Sequence, residues 1–219
     1  MPGTGYFFGD SLKKMLLSAA LICFAALLLA GLAMAADLKA PQIQVLSSYE
    51  GNLSEKKINL VSMPAIFGLL GVDVAETVKF KAPKPGWKVK AINIFAWDGF
   101  NGTLQSIPRE RIIALEIRDK DLNLLYRFAD SQLPFSNYIF NATEAYPMTI
   151  ELPSVPVSDE FYVSFYDRGA VAVAAEVLND TSNSSFFFNA VADELIPSEL
   201  PQGQNKTSPV NWIMSVSGA

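Results

Sequence analysis

Five lysines fall within residues 79–90, in the run KFKAPKPGWKVK. Lys79 and Lys81 alternate with Val78 and Phe80, and Lys88 and Lys90 alternate with Trp87 and Val89. Successive side chains of an extended chain point to opposite faces, so the apolar set can face a core while the four ammonium groups face away from it. If the APKPG turn (82–86) closes a hairpin, both stripes and Lys84 share one cationic surface, on a chain whose net charge is −5. That surface suits an anionic polymer: an acidic polysaccharide, or an acidic neighbour in a cell envelope. The same residues also describe a plain solvated strand face, or lysines that blunt a sheet edge.

A second set is aromatic. With Phe161, Val163 and Phe165 inward, Tyr162 and Tyr166 lie on the opposite face, and Asp167-Arg168 stands at the strand end. A flat ring stacks on the apolar face of a pyranose, and nearby charges bind its hydroxyls. Trp97, followed by Asp98-Gly99, offers the same chemistry. Exposed or loop-covered aromatics are also ordinary in strands.

Other chemistries find less support. The chain has no histidine and one cysteine, Cys23. This excludes a Ser-His-Asp triad, a Cys-His dyad, a His-ligated metal and an iron–sulfur cluster. Asp119-x-Asp121-x-Asn123 copies the first half of a calcium loop, with Asp130 at the twelfth position, but Leu124 stands where that loop needs glycine. A hairpin turn is expected there instead. A glycosidase needs two carboxylates, and Glu116, Glu151, Asp167 and Glu176 are available, yet nothing in the spacing selects a pair. No Gly-rich phosphate loop and no G-x-S-x-G occur. The acidic balance argues against nucleic acid. We expect no catalysis, no metal and no cofactor.

The elements that position these residues have a period of two. Alternation recurs at Ile113, Leu115 and Ile117; at Met148, Ile150 and Leu152, ended by Pro153; at Phe161, Val163 and Phe165; and at Val171, Val173, Ala175 and Val177. Leu122–Phe128 reads as a return from the 119–121 turn. Phe186–Phe188 is short, 190–210 reads as a polar loop, and Trp212, Met214 and Val216 close the chain. About eight strands without crossover helices predict an all-β antiparallel β-sandwich, jelly-roll-like, with an immunoglobulin-like sandwich as the alternative.

The run VKFKAPKPGWKVKAINIFAW, the strand ALEIRDKDLNLLYRF, the segment IELPSVPVSDEFYVSFYD and the terminal NWIMSV together resemble β-sandwich domains of archaeal secreted and cell-surface proteins. The resemblance covers about 76–218. It implies a surface location and a jelly-roll-like fold, and it carries no catalytic residue.

The ends and loops agree with export. Lys13 and Lys14 precede an uncharged apolar stretch, Met15–Ala36, and Ala33-Met34-Ala35 is an A-x-A site that would be cut after Ala35. The stretch is also long enough to remain as an N-terminal membrane anchor, and both alternatives stay open. The membrane is expected to be touched only by this segment if it is uncleaved. No apolar segment closes the sequence, so no C-terminal anchor is expected. Six N-x-S/T sites occur, at Asn52, Asn101, Asn141, Asn179, Asn183 and Asn205, where 12 Asn and 26 Ser and Thr in 219 residues give about 1.4 by chance. A glycosylated extracellular protein is expected. The organisation reads as a signal or anchor over 1–35, a lead-in over 36–75, and a β-sandwich domain over 76–219. The lead-in either covers one end of the core or forms a stalk. The function expected is a non-catalytic binding module for polysaccharide or another envelope component. The alternatives are a structural or adhesive envelope component and, less favoured, a β-sandwich hydrolase.

Overall fold

The computed structural model describes residues 42–99, 112–132, 145–203 and 206–219. The expected signal or anchor segment, with Ala35, lies outside them, as do Asn101, Asn141 and Asn205. Among the described residues no helix is long and apolar enough to cross a membrane.

In chain order the strands are β1 (Gln44–Ser47), β2 (Ile58–Val61), β3 (Val74–Lys81), β4 (Trp87–Trp97), β5 (Ile112–Asp119), β6 (Leu124–Gln132) and β7 (Tyr146–Val157). They continue with β8 (Glu160–Tyr166), β9 (Ala172–Val177), β10 (Ser185–Asn189), β11 (Glu194–Pro197), β12 (Glu199–Pro201), β13 (Thr207–Trp212) and β14 (Met214–Gly218). Among the described residues every pairing is antiparallel. One sheet has eight strands in the order β1-β14-β4-β9-β13-β12, with β2 added to β9 and β7 to β4. The other has six, β11-β10-β3-β8-β5-β6. The protein is thus an all-β sandwich, as expected.

The core lies between the sheets. Val78, Phe80, Phe161, Val163 and Phe165 come from the six-stranded sheet, and Trp87, Ile92, Ile94, Trp212 and Met214 from the eight-stranded one. Each such side chain contributes about 1.5–3 kcal/mol on burial. Phe161 packs on Phe80 at 5.7 Å and on Trp87 at 6.4 Å, so one ring ties the two sheets together.

β4 explains why its sequence is apolar on both faces. Against β14, Ala91 faces Ser217 and Val89 faces Gly218, so Lys90 is an extra residue in a bulge. The bulge flips the phase: Trp87 and Val89 point inward before it, Ile92, Ile94 and Ala96 after it. Gly218 packs against the start of this strand, beside the bulge. A Cβ there would collide with the Lys88 carbonyl and lie 2.7 Å from Trp87 Cζ2, so only glycine fits.

Of three expectations, the first and third need correction and the second is made specific. First, β3 and β4 do not form a hairpin. β3 lies between β10 and β8, whereas β4 lies in the other sheet. The 82–86 turn crosses between sheets, bound to the parallel crossing at 158–159 by Ala82 N–H to the Asp159 carbonyl (2.8 Å) and Gly86 N–H to Ser158 Oγ (3.0 Å). Pro83 and Pro85 donate nothing to a hairpin ladder. Second, residues 43–75 of the expected lead-in belong to the compact unit Ile43–Ala219. β1 pairs with β14, β2 with β9, and Met63 is fully buried. Third, β7 runs through Pro153, and 190–210 holds β11, β12 and the start of β13. Among the described residues β7 pairs only with β4, and an edge strand tolerates proline. Ser154, at φ +63°, resets its phase from Met148 and Ile150 to Val155 and Val157.

Candidate functional site

The outer face of the six-stranded sheet carries four of the expected site residues, Lys79, Lys81, Tyr162 and Tyr166. Strand register sets Lys79 directly opposite Tyr162, and Lys81 opposite Glu160. Tyr162 is half-buried, and the Phe186 ring meets it edge-on at 6.1 Å. Lys81 is exposed. Lys79 Nζ lies 3.5 Å from Glu160 Oε1, a partly exposed pair worth at most about 1 kcal/mol. A ligand anion can displace such a partner. The result is a tyrosine with an aromatic edge behind it and two lysines beside it.

Lys88 and Lys90 are elsewhere. The sheet crossing at 82–86 carries them to the outer face of the eight-stranded sheet, so the four lysines do not share a surface. Tyr166 lies on the same face as Tyr162 but is buried, and its hydroxyl donates to Glu116 Oε2 at 3.2 Å. It offers no ring face to a sugar.

Tyr166 belongs to a covered network instead. Glu116 is buried and receives Arg118 Nε at 2.8 Å, with Arg127 Nε at 3.6 Å. Arg118 also donates to the Leu122 carbonyl (2.6 Å) and to Asp193 (3.3 Å), and its guanidinium stacks 4.5 Å over Phe188. Burial and the Glu116 charge push the Tyr166 hydroxyl well up. Leu122 and Leu195 pack over this patch, around Ala75, Ala114, Tyr166 and Phe188.

The remaining carboxylates are dispersed. Glu176 pairs with Lys56 at 2.6 Å, Glu151 is exposed on β7, and Asp98 accepts the Tyr146 hydroxyl at 3.0 Å. The Asp98 bond stands beside Trp97, which is half-buried. Asp119 closes the β5–β6 turn: it accepts the backbone N–H groups of Asp121 and Asn123, both at 2.9 Å, and Asn123 Nδ2 at 3.0 Å. The Asn123 amide is the largest cause holding its carboxyl below the usual range. Among the described residues no three acidic, histidine or cysteine side chains converge to hold a metal. Of the described sequons, Asn52, Asn179 and Asn183 are exposed.

Two features escaped the sequence. One is an internal acid pair. Glu76 and Asp167 are fully buried. Asp167 Oδ2 accepts the Met63 N–H at 2.6 Å and Oδ1 the Gly169 N–H at 2.7 Å. It thereby caps the short helix α1 (Met63–Phe67), whose own cap residue, Ser62, makes no side-chain cap bond. Neither Glu76 oxygen has a hydrogen-bond partner of ordinary geometry. Burial, reinforced by the Asp167 charge, pushes the Glu76 carboxyl well up, and burial raises Asp167 as well. The signal was available: Glu76 is in phase with Val74, Val78 and Phe80, and so points into the core.

The other is an apolar groove at the flank of the sandwich, of about 540 Å³. Phe67 and Leu70 of the 63–73 strap form one wall, Ile196 and Glu199 the other, and Val74 and Phe187 the floor. Pro64, Gly68 and Gly71 in the strap mark an irregular segment in the sequence, but which sheet edge it borders depends on pairing far along the chain.

No family model matches the chain, and no curated protein matches it. A solved complex of the Aeromonas sobria serine protease and its chaperone is similar over 85% of this chain and 29% of that chain, at 13% identity and a TM-score of 0.27. The chain spans less than a third of that structure's length, and a likeness at this score supports neither a fold assignment nor a function. What stands is a β-rich, antiparallel two-sheet protein.

Proposed function

We propose that the chain is an exported cell-surface β-sandwich that acts as a non-catalytic binding module for an acidic polysaccharide of the envelope. One observation carries this reading: Lys79 and Tyr162 are direct cross-strand neighbours on an open sheet face, with Phe186 behind the tyrosine ring. A uronic acid residue stacked on Tyr162 would place its carboxylate towards Lys79 and Lys81, displacing Glu160. Lys13 and Lys14 before Met15–Ala36 support export, by a cleaved signal or a retained anchor. The exposure of Asn52, Asn179 and Asn183 is what glycosylation requires. The reading is tested by retention of the full chain on isolated cell envelope. Salt and soluble polyuronate should each release it, and Lys79→Glu with Lys81→Glu should prevent retention.

A structural or adhesive role is the second reading. It is favoured by β1, an edge strand among the described residues, where Ile43 is 64% and Val45 61% exposed. That role predicts self-association indifferent to soluble sugar.

A further inference from the structure

The apolar groove shares no lining residue with the lysine face. Its rim is held in place although its side chains are bare. Leu69 is 91% and Leu70 78% exposed. Yet the strap that carries them is anchored at Met63, which is fully buried and whose N–H is fixed by Asp167. Gly71 packs so closely on the Met63 carbonyl that a Cβ would collide with it. Phe67 meets Phe187 edge-on at 5.6 Å, so the wall is seated on the floor. A fixed wall loses little conformational freedom on binding.

Charge decides what fits. Residues 58–78 and 185–201, which supply both walls and the floor, contain no lysine and no arginine. Their exposed acids are Asp73, Asp193, Glu194 and Glu199; Asp193 is paired with Arg118, and Glu199 lines the groove. An anionic lipid surface is repelled by that rim, and a flat bilayer does not fill a concave site. Among the described residues β11 ends the six-stranded sheet with no strand beside its outer backbone edge, and it borders the groove at Ile196. We propose that this groove docks an apolar segment of a partner protein flanked by lysine or arginine, its apolar side chains seated between Leu70 and Ile196 and its cations on Glu199 and Asp73.

The experiment titrates the full chain with two synthetic heptapeptides, three leucines between lysine pairs and three leucines between glutamate pairs, and with phosphatidylglycerol vesicles. The lysine-flanked peptide should bind saturably and at least ten-fold more tightly than the glutamate-flanked one. Leu70→Asp should weaken it ten-fold or more, and Glu199→Lys should narrow or invert the preference. Lys79→Glu with Lys81→Glu should leave peptide binding unchanged, which separates this site from the saccharide face. Leu70 is largely exposed, so its substitution leaves the fold intact, and a circular-dichroism melt checks this. Equal binding of the two peptides, no effect of Leu70→Asp, or a preference for the vesicles would each overturn the proposal.

Discussion

Glu76 faces Asp167 inside the sandwich, two buried carboxyls of which Asp167 accepts the first N–H of a short helix. Both groups have their carboxyls raised above the ordinary range, Glu76 the more strongly, and burial is the largest cause for each. A raised folded pKa contributes stability that is complete below the unfolded value, near 4.3 for Glu, and is lost as pH rises through the folded one. The stability of the protein should therefore fall from pH 5 towards alkaline pH, by up to about 1.4 kcal/mol per pH unit for each proton released. Glu76→Gln removes one of those protons. It should be about 1 kcal/mol less stable than wild type at pH 4, with the gap closing or reversing by pH 9. Urea unfolding across that range checks it, and parallel curves for the two proteins would contradict the assignment.

Arg118 holds the Glu116 carboxylate beneath the β5–β6 turn. Arg118→Ala leaves a buried charge with only Tyr166 and the more distant Arg127, so it should cost about 3 kcal/mol. Lys79→Ala breaks only the partly exposed pair with Glu160 and should change stability by less than about 1 kcal/mol. Denaturant midpoints of the two variants separate a structural ion network from a surface available to ligand.

Gly218 and Trp87 are in contact where β14 meets β4. Gly218→Ala forces either the Trp87 ring or the Lys88 carbonyl to move, and should cost about 1–3 kcal/mol, read as a lower thermal midpoint. Gly86, at φ +70° with open space around it, should respond through backbone strain alone, so Gly86→Ala is expected to cost less, about 1 kcal/mol. Equal effects at the two glycines would mean that the close approach at Gly218 is not what selects glycine there.

Much of this fold is legible in short-range alternation. Val78 and Phe80, Phe161 to Phe165, and Ile113 to Ile117 face the core, and that phase also sets Tyr162 and Tyr166 outward. Alternation does not name a strand's partner. APKPG is equally consistent with a hairpin and with a crossing between sheets, so the lysine stripe divides in a way that only the long-range pairing of β3 with β8 decides. Nor does it say what covers an outward residue. Tyr166 is buried because Leu122 and Leu195 pack around it. The lead-in hides its role because two four-residue strands and a five-residue helix are too short to show a period.

The central claim is that the outer face of the six-stranded sheet binds an acidic polysaccharide. The most direct measurement is a calorimetric titration of the full chain with a soluble polyuronate and with neutral dextran, at low and high salt, comparing wild type with Lys79→Glu/Lys81→Glu and Lys88→Glu/Lys90→Glu. The account predicts saturable, salt-weakened binding of the polyuronate only, lowered ten-fold or more by the 79/81 pair and by Tyr162→Ala, and much less affected by the 88/90 pair on the opposite sheet. Equal loss in both lysine pairs, or no saturable binding at low salt, would contradict it.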